Sequence, residues 1–157
     1  MAQKSFLESV LGKRGALTFY ANQVKRLGQQ DGATVEIAQA ELMVGGEKQI
    51  IFASGINSSA GFTADQLALL ASWHVHIAPS TVKRGSMDGA PHAEENIGAY
   101  LHSIGARPLR WSCALVGGLR KTKRGTKSYV CRDCQAFIKL VGGVIEDPYE
   151  KDRHSVF

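Results

Sequence analysis

The chain has 157 residues, 44% of them hydrophobic and 21% charged, which suits one domain built on a single core. Lys and Arg outnumber Asp and Glu by 19 to 14, a formal net charge of +5 that is too modest to name a partner; the distribution of the basic residues is more telling. No apolar run approaches the roughly 20 residues needed to cross a bilayer, so no membrane partner is expected.

Residues 2–29 place Phe6, Val10, Leu17, Tyr20, Ala21 and Val24 at helical spacing, and Gly12 and Gly15 predict a break into two short helices. Gln29 to Gly32 is a turn. Residues 34–42 alternate as a strand, Gly45-Gly46 is a hairpin turn, and 49–54 is a second, more buried strand. Gly55 to Gly61 is predicted as loop. Thr63-Ala64-Asp65-Gln66 fits a capping box and opens a short helix that turns Leu67, Leu70 and Ala71 inward. Trp73 to Ile77 reads as a short extended piece and Pro79 to Ala90 as loop.

Pro91 then starts a helix over 92–103, with Ala93, Ile97, Leu101 and Ile104 on one face and Gly105 closing it. A third strand spans 109–116. The acid-free segment Gly117 to Val130 follows as a loop carrying Arg120, Lys121, Lys123, Arg124 and Lys127. Cys131 to Val141 makes another helix, with Cys134, Phe137, Ile138 and Val141 inward. Val144-Ile145 is a fourth strand, and the acids Glu146, Asp147, Glu150 and Asp152 gather near the C-terminus. The expected organisation is one α/β domain: a helical segment 1–33, a catalytic core 34–147 and a polar tail 148–157.

Two short motifs carry the chemistry: His92-Ala93-Glu94 and Cys131-Arg132-Asp133-Cys134. A catalytic zinc takes three protein ligands and keeps a fourth position for water, and one imidazole with two thiolates is a sufficient set. Glu94 remains over, close enough to move protons on and off that water. Both motifs fall at predicted helix N-termini, where the helix dipole favours thiolates. Three cysteines form no even disulfide framework, and residues 1–6 lack the pattern of a secretory leader. The expected site of action is therefore a reducing, cytoplasmic compartment, with metal binding favoured over a disulfide.

This H-x-E…C-x-x-C order resembles the zinc-dependent nucleobase and nucleoside deaminases of the cytidine-deaminase-like superfamily. The stretch Gly89-Ala90-Pro91-His92-Ala93-Glu94, with one further strand after the cysteine helix, is most similar to bacterial polymorphic-toxin deaminase domains. The resemblance implies a three-layer α/β fold, with a mixed sheet of about four to five strands and both zinc-bearing helices on one face. It implies one catalytic Zn2+ on His92, Cys131 and Cys134, Glu94 as the proton shuttle, and the Ala93 N–H against the base. Asn57 matches an asparagine that contacts the nucleoside. Val130 stands where the family commonly has proline, which leaves the ligands unchanged but alters the entry to that helix.

The implied reaction is hydrolytic conversion of cytosine to uracil in DNA, single- or double-stranded, with DNA favoured over RNA. As a toxin domain, the chain would be delivered within a larger secreted protein and be opposed by an immunity protein. Two other functions stay open: deamination of a free nucleoside or small amino-heterocycle, and a non-catalytic zinc-stabilised module that binds nucleic acid. The basic segment is read as contacting phosphate, because it joins the elements that frame the metal motif. Trp73 and Tyr129 are candidate stacking platforms for a base, and Tyr129 abuts Cys131. Trp111 and Cys113 are read as core, His74 and His76 as local packing, His102 as surface, and Glu95 as solvated or paired.

Overall fold

Gly45 and Gly46, both in the left-handed region with φ of 57° and 83°, close a two-residue turn between β1 (Val35–Val44) and β2 (Glu47–Ile56). Positive φ at both central positions gives the turn whose twist matches that of paired strands, and only glycine adopts it without strain. The hairpin zips for its full length, from Val44 opposite Glu47 to Val35 opposite Ile56. A computed structural model describes residues 6–11, 17–28, 34–58, 60–80, 92–112, 114–116, 127–129 and 132–146. β2 takes in Gly55 and Ile56, which the sequence assigned to a loop; the cross-strand partners Glu36 and Val35 hold them in the ladder.

Three further strands complete a five-stranded mixed sheet. β3 (His76–Ile77) pairs parallel to β2, β4 (Arg107–Trp111) antiparallel to β1, and β7 (Val144–Ile145) parallel to β4, giving the order β3-β2-β1-β4-β7. Only β1 opposes the rest, so β2, β3, β4 and β7 all end at the same edge. Ligands of open α/β sheets commonly bind outside such an edge. Pro108, which has no N–H to give, sits at a register shift between Gln39 and Ala40.

The third strand is divided. Ser112 donates its N–H to the Ile37 carbonyl and accepts the Ile37 N–H on its own hydroxyl, so a side chain replaces the next backbone rung and the β1–β4 ladder stops. The chain then leaves the sheet. β5 (Ala114–Val116) pairs antiparallel with β6 (Lys127–Tyr129) in a separate two-stranded sheet. Part of the predicted basic loop is thus a strand, with Lys127 opposite Val116 and Tyr129 opposite Ala114.

Helices cover both faces. α1 (Phe6–Leu11), α2 (Leu17–Arg26) and α3 (Ala64–Ser72) pack Leu7, Leu17, Ala21, Val24 and Leu70 against Val35, Ile37, Phe52 and Ile56. α4 (Ala93–Ser103) and α5 (Arg132–Val141) pack Ile97, Leu101, Cys134 and Ile138 against Ala38, Ala40, Ile51 and Ala53. The alternation of Val35 and Ile37 with Ala38 and Ala40 separates the two layers, as a period of two requires. Alanines under α4 and α5 let that pair approach the sheet closely. Each fully buried Ile or Leu contributes roughly 1.5–3 kcal/mol.

Several inward assignments shift. The Thr63 capping box forms, with Gln66 N donating to Thr63 Oγ1 at 3.2 Å and Thr63 N donating to Gln66 Oε1 at 2.8 Å. Yet Leu67 and Ala71 are exposed, and Gln66 turns inward with Leu70 to donate to the Val24 carbonyl. On α5 Val141 is exposed. Trp73 is buried in the α1–α3 layer, its ring stacked on Phe6 at 5.9 Å and edge-on to Tyr20, so it is no platform for a base. Trp111 is core, fully buried, and its indole N–H donates to the Gly142 carbonyl.

Glu146, grouped by sequence with the acids near the C-terminus, is 4% exposed. Its carboxylate accepts the Leu17 and Thr18 N–H groups at the start of α2 and meets Arg110 Nη2 at 3.0 Å. It therefore caps the positive end of one helix from the far end of the chain. Glu146→Ala leaves those donors and a half-buried guanidinium without their acceptor. The expected loss is about 2–4 kcal/mol of stability, read by urea unfolding.

Candidate metal centre

His92 is the N-cap residue of α4, with extended backbone (φ −69°, ψ 152°), rather than its first helical residue. Its N–H donates to Glu95 Oε1 at 2.9 Å, so Glu95 closes the first turn as a capping-box acid. That bond fixes the backbone from which the imidazole projects. Glu94 lies in the same first turn, 4% exposed, and Ala93 between them is fully buried.

α5 supplies the facing side. Cys134, in its first turn and 2% exposed, sets Sγ 3.1 Å from His92 Nδ1. The ligand atoms of His92, Glu94 and Cys134 all lie within 4.8 Å of one another, a group able to hold a metal ion. Nitrogen and sulfur bound to one tetrahedral zinc stand about 3.5 Å apart, given bonds near 2.0 and 2.3 Å. The observed pair is a few tenths of an ångström closer, a gap that small side-chain rotations open. The donor types and spacing fit zinc.

Close packing sets this geometry. A Cβ on Gly98 would meet the Phe137 ring at 2.4 Å, so the missing side chain admits that ring and draws α5 onto α4. A Cβ on Gly55 would stand 2.8 Å from the Ala93 carbonyl oxygen and 2.9 Å from Ile97 Cγ1, so the first turn of α4 rests directly on β2. Asn96, fully buried, adds a tie: its Nδ2 donates to the Ile56 carbonyl at 3.1 Å.

Asn57 follows Ile56 and donates its N–H to the Thr34 carbonyl. It is the first residue after β2. Its Oδ1 is buried with no hydrogen-bond partner among the described residues, an acceptor held ready at the edge where α4 begins.

No family model matches this chain, and no curated protein or solved structure does either. The side chains themselves therefore carry the functional argument.

Of the residues chosen from sequence, His92, Ala93, Glu94 and Cys134 come together, and Asn57 lies at the sheet edge beside them. Cys131, Arg120, Lys121, Lys123 and Arg124 lie outside the described residues, as does Cys113. Lys127 and Tyr129 are placed only by backbone, on β6. His76 Nδ1 shares a 2.6 Å hydrogen bond with the Tyr100 hydroxyl, while His74 and His102 are exposed. Sequence reading passed over Gly55, Asn96 and Gly98. The first stands in a Gly-x-Asn at a strand end, and the others fall two and four residues after Glu94, the only signals available.

Proposed function

We propose that this chain is a zinc-dependent hydrolytic deaminase with a cytidine-deaminase-like fold, acting on cytosine in DNA. The observation that carries the proposal is the convergence of His92, Glu94 and Cys134 within 4.8 Å at the N-terminal ends of two packed helices. The two helices lying together on one face of a mixed sheet support the fold assignment.

His92, Cys134 and Cys131, three positions earlier in the chain, would hold the ion and leave a position for water. Bound zinc supplies a Lewis acid that brings the pKa of such water to about 7. Glu94 then does the proton work. Its carboxylate accepts a proton from the attacking water, passes it to the ring nitrogen, and helps protonate the departing amine. A C–O bond forms at C4, the C4–N bond breaks, and ammonia leaves uracil behind, with one water consumed. Burial of Glu94 keeps bulk water from competing for that proton. The Ala93 N–H would meet the base.

The acid-free segment with Arg120, Lys121, Lys123, Arg124 and Lys127 supports a nucleic-acid substrate. Within a toxin, such a domain would act in the cytoplasm of a target cell and be opposed by an immunity protein. One observation favours the alternative of a free nucleoside: the open Asn57 acceptor suits a sugar hydroxyl.

The test uses zinc-loaded protein with single-stranded DNA, duplex DNA, RNA and free cytidine, followed by sequencing and ammonia release. Changing Lys121, Lys123, Arg124 and Lys127 together to Gln should weaken turnover of DNA and flatten its dependence on salt. The logarithmic slope should fall by up to roughly 3, with cytidine turnover unchanged. Equal effects on both substrates would favour the nucleoside enzyme. Bound zinc with no conversion of any substrate would favour a binding module.

A further inference from the structure

One buried acid lies beside this site and is used by none of the chemistry above. Glu36, on β1, is fully buried. It stands opposite Gly55 in the hairpin, and cross-strand partners project to the same face. It also shares the parity of Ala38 and Ala40, which pack with Ile97 and Leu101, whereas Val35 and Ile37 turn to the other layer. Glu36 therefore faces α4 and α5. Because Gly55 has no side chain, the Ala93 carbonyl and Ile97 descend onto this strand pair, so the turn bearing His92 and Glu94 lies directly above it.

We propose that Glu36 is a positioning residue of the metal centre, a buried carboxylate beneath the first turn of α4 that supports the ion without ligating it. The inference rests on the metal reading given above. The atoms close enough to share an ion belong to His92, Glu94 and Cys134, so Glu36 stands behind them. A carboxylate is costly to bury, and positive potential lowers that cost. That potential exists at this edge of the sheet. The N-termini of α4 and α5 direct their dipoles toward it, and a divalent cation there adds to the same field. Carboxylates just outside a ligand set hold ligands in orientation and raise metal affinity.

Zn2+ affinity, measured by competition with a chromophoric chelator, tests this without reference to turnover. Glu36→Gln keeps the shape and removes the charge, and should weaken Zn2+ binding about 10–100-fold. Glu36→Asp keeps the charge and should bind more tightly than the Gln variant. The absorption spectrum of the Co2+-substituted protein should change in Glu36→Gln, which a purely structural role would not produce. Gln66→Leu serves as the control. It removes an equally buried polar side chain from the α1–α3 layer, and should lower thermal stability with Zn2+ affinity unchanged.

Wild-type affinity in Glu36→Gln, or an equal loss in Gln66→Leu, would overturn the inference while leaving the metal centre intact. Should Glu36→Gln not fold, the Co2+ spectrum of Glu36→Asp decides: withdrawing the carboxylate by one methylene should shift it, and a spectrum identical to that of the wild type overturns the inference. A wild-type chain that binds no Zn2+ overturns the metal reading and this inference together, a result plainly different from the others.

Discussion

Glu94→Gln is expected to yield a folded protein that still binds zinc but turns over substrate at least about 10²–10⁴-fold more slowly, the usual contribution of a positioned acid–base group. The amide has the size and shape of the carboxylate, so the buried first turn of α4 keeps its packing. What it loses is the ability to take a proton from water and return it to the ring. Metal content by atomic emission and ammonia release from cytosine-containing DNA separate the two effects. Wild-type turnover in the Gln variant would remove Glu94 from the mechanism, and with it the reason for reading H-x-E as catalytic. Loss of zinc with loss of turnover would instead make Glu94 a ligand, which its place within 4.8 Å of His92 and Cys134 also permits geometrically.

Cys134→Ala should have the larger effect on the protein as a whole. The thiol sits 3.1 Å from His92 Nδ1 at the junction of two helices, so its removal takes away both a proposed ligand and the contact that faces the histidine. Turnover should fall to background. Stability should respond as well, because an ion that binds only the folded chain stabilises it by about 4 kcal/mol at a thousand times its Kd. For a domain of this size that corresponds to roughly 8–16 °C in Tm. Added Zn2+ should therefore raise the Tm of the wild-type protein by that order and leave Cys134→Ala unmoved, with a chelator reversing the shift. An equal response in both would place the ion elsewhere.

The candidate centre was legible in the sequence because its donors are chemically rare and closely spaced. His92 and Glu94 must share a helix turn wherever that helix lies, and Cys134 must fall in the opening turn of the next. Local signals were similarly reliable where one residue type dictates the backbone. The Gly45-Gly46 turn and the Thr63 capping box both follow from short-range chemistry, while the break predicted at Gly12 and Gly15 lies outside the described residues.

Burial of side chains far apart in sequence was a different matter. Glu146 resembles any terminal acid until α2 is brought over it, and Trp73 resembles an exposed stacking ring until Phe6 and Tyr20 close around it. The division of the third strand depends on a single Ser112 hydroxyl meeting the Ile37 N–H across the sheet. Glu36 reads locally as the polar phase of an alternating strand. Only its pairing with Gly55, under α4, turns it toward the site.

The sequence alone determined the chemistry this chain has at its disposal: one imidazole, two thiols in C-x-x-C, a spare carboxylate and a basic segment. Ligand identity and spacing within a turn are local properties, and local properties survive in one dimension. Tertiary structure decided which of those groups meet, through Gly98 admitting Phe137 and Gly55 admitting the start of α4. Such choices are made by the absence of a side chain at a contact between distant segments, and an absence acquires meaning only when the second surface is in place.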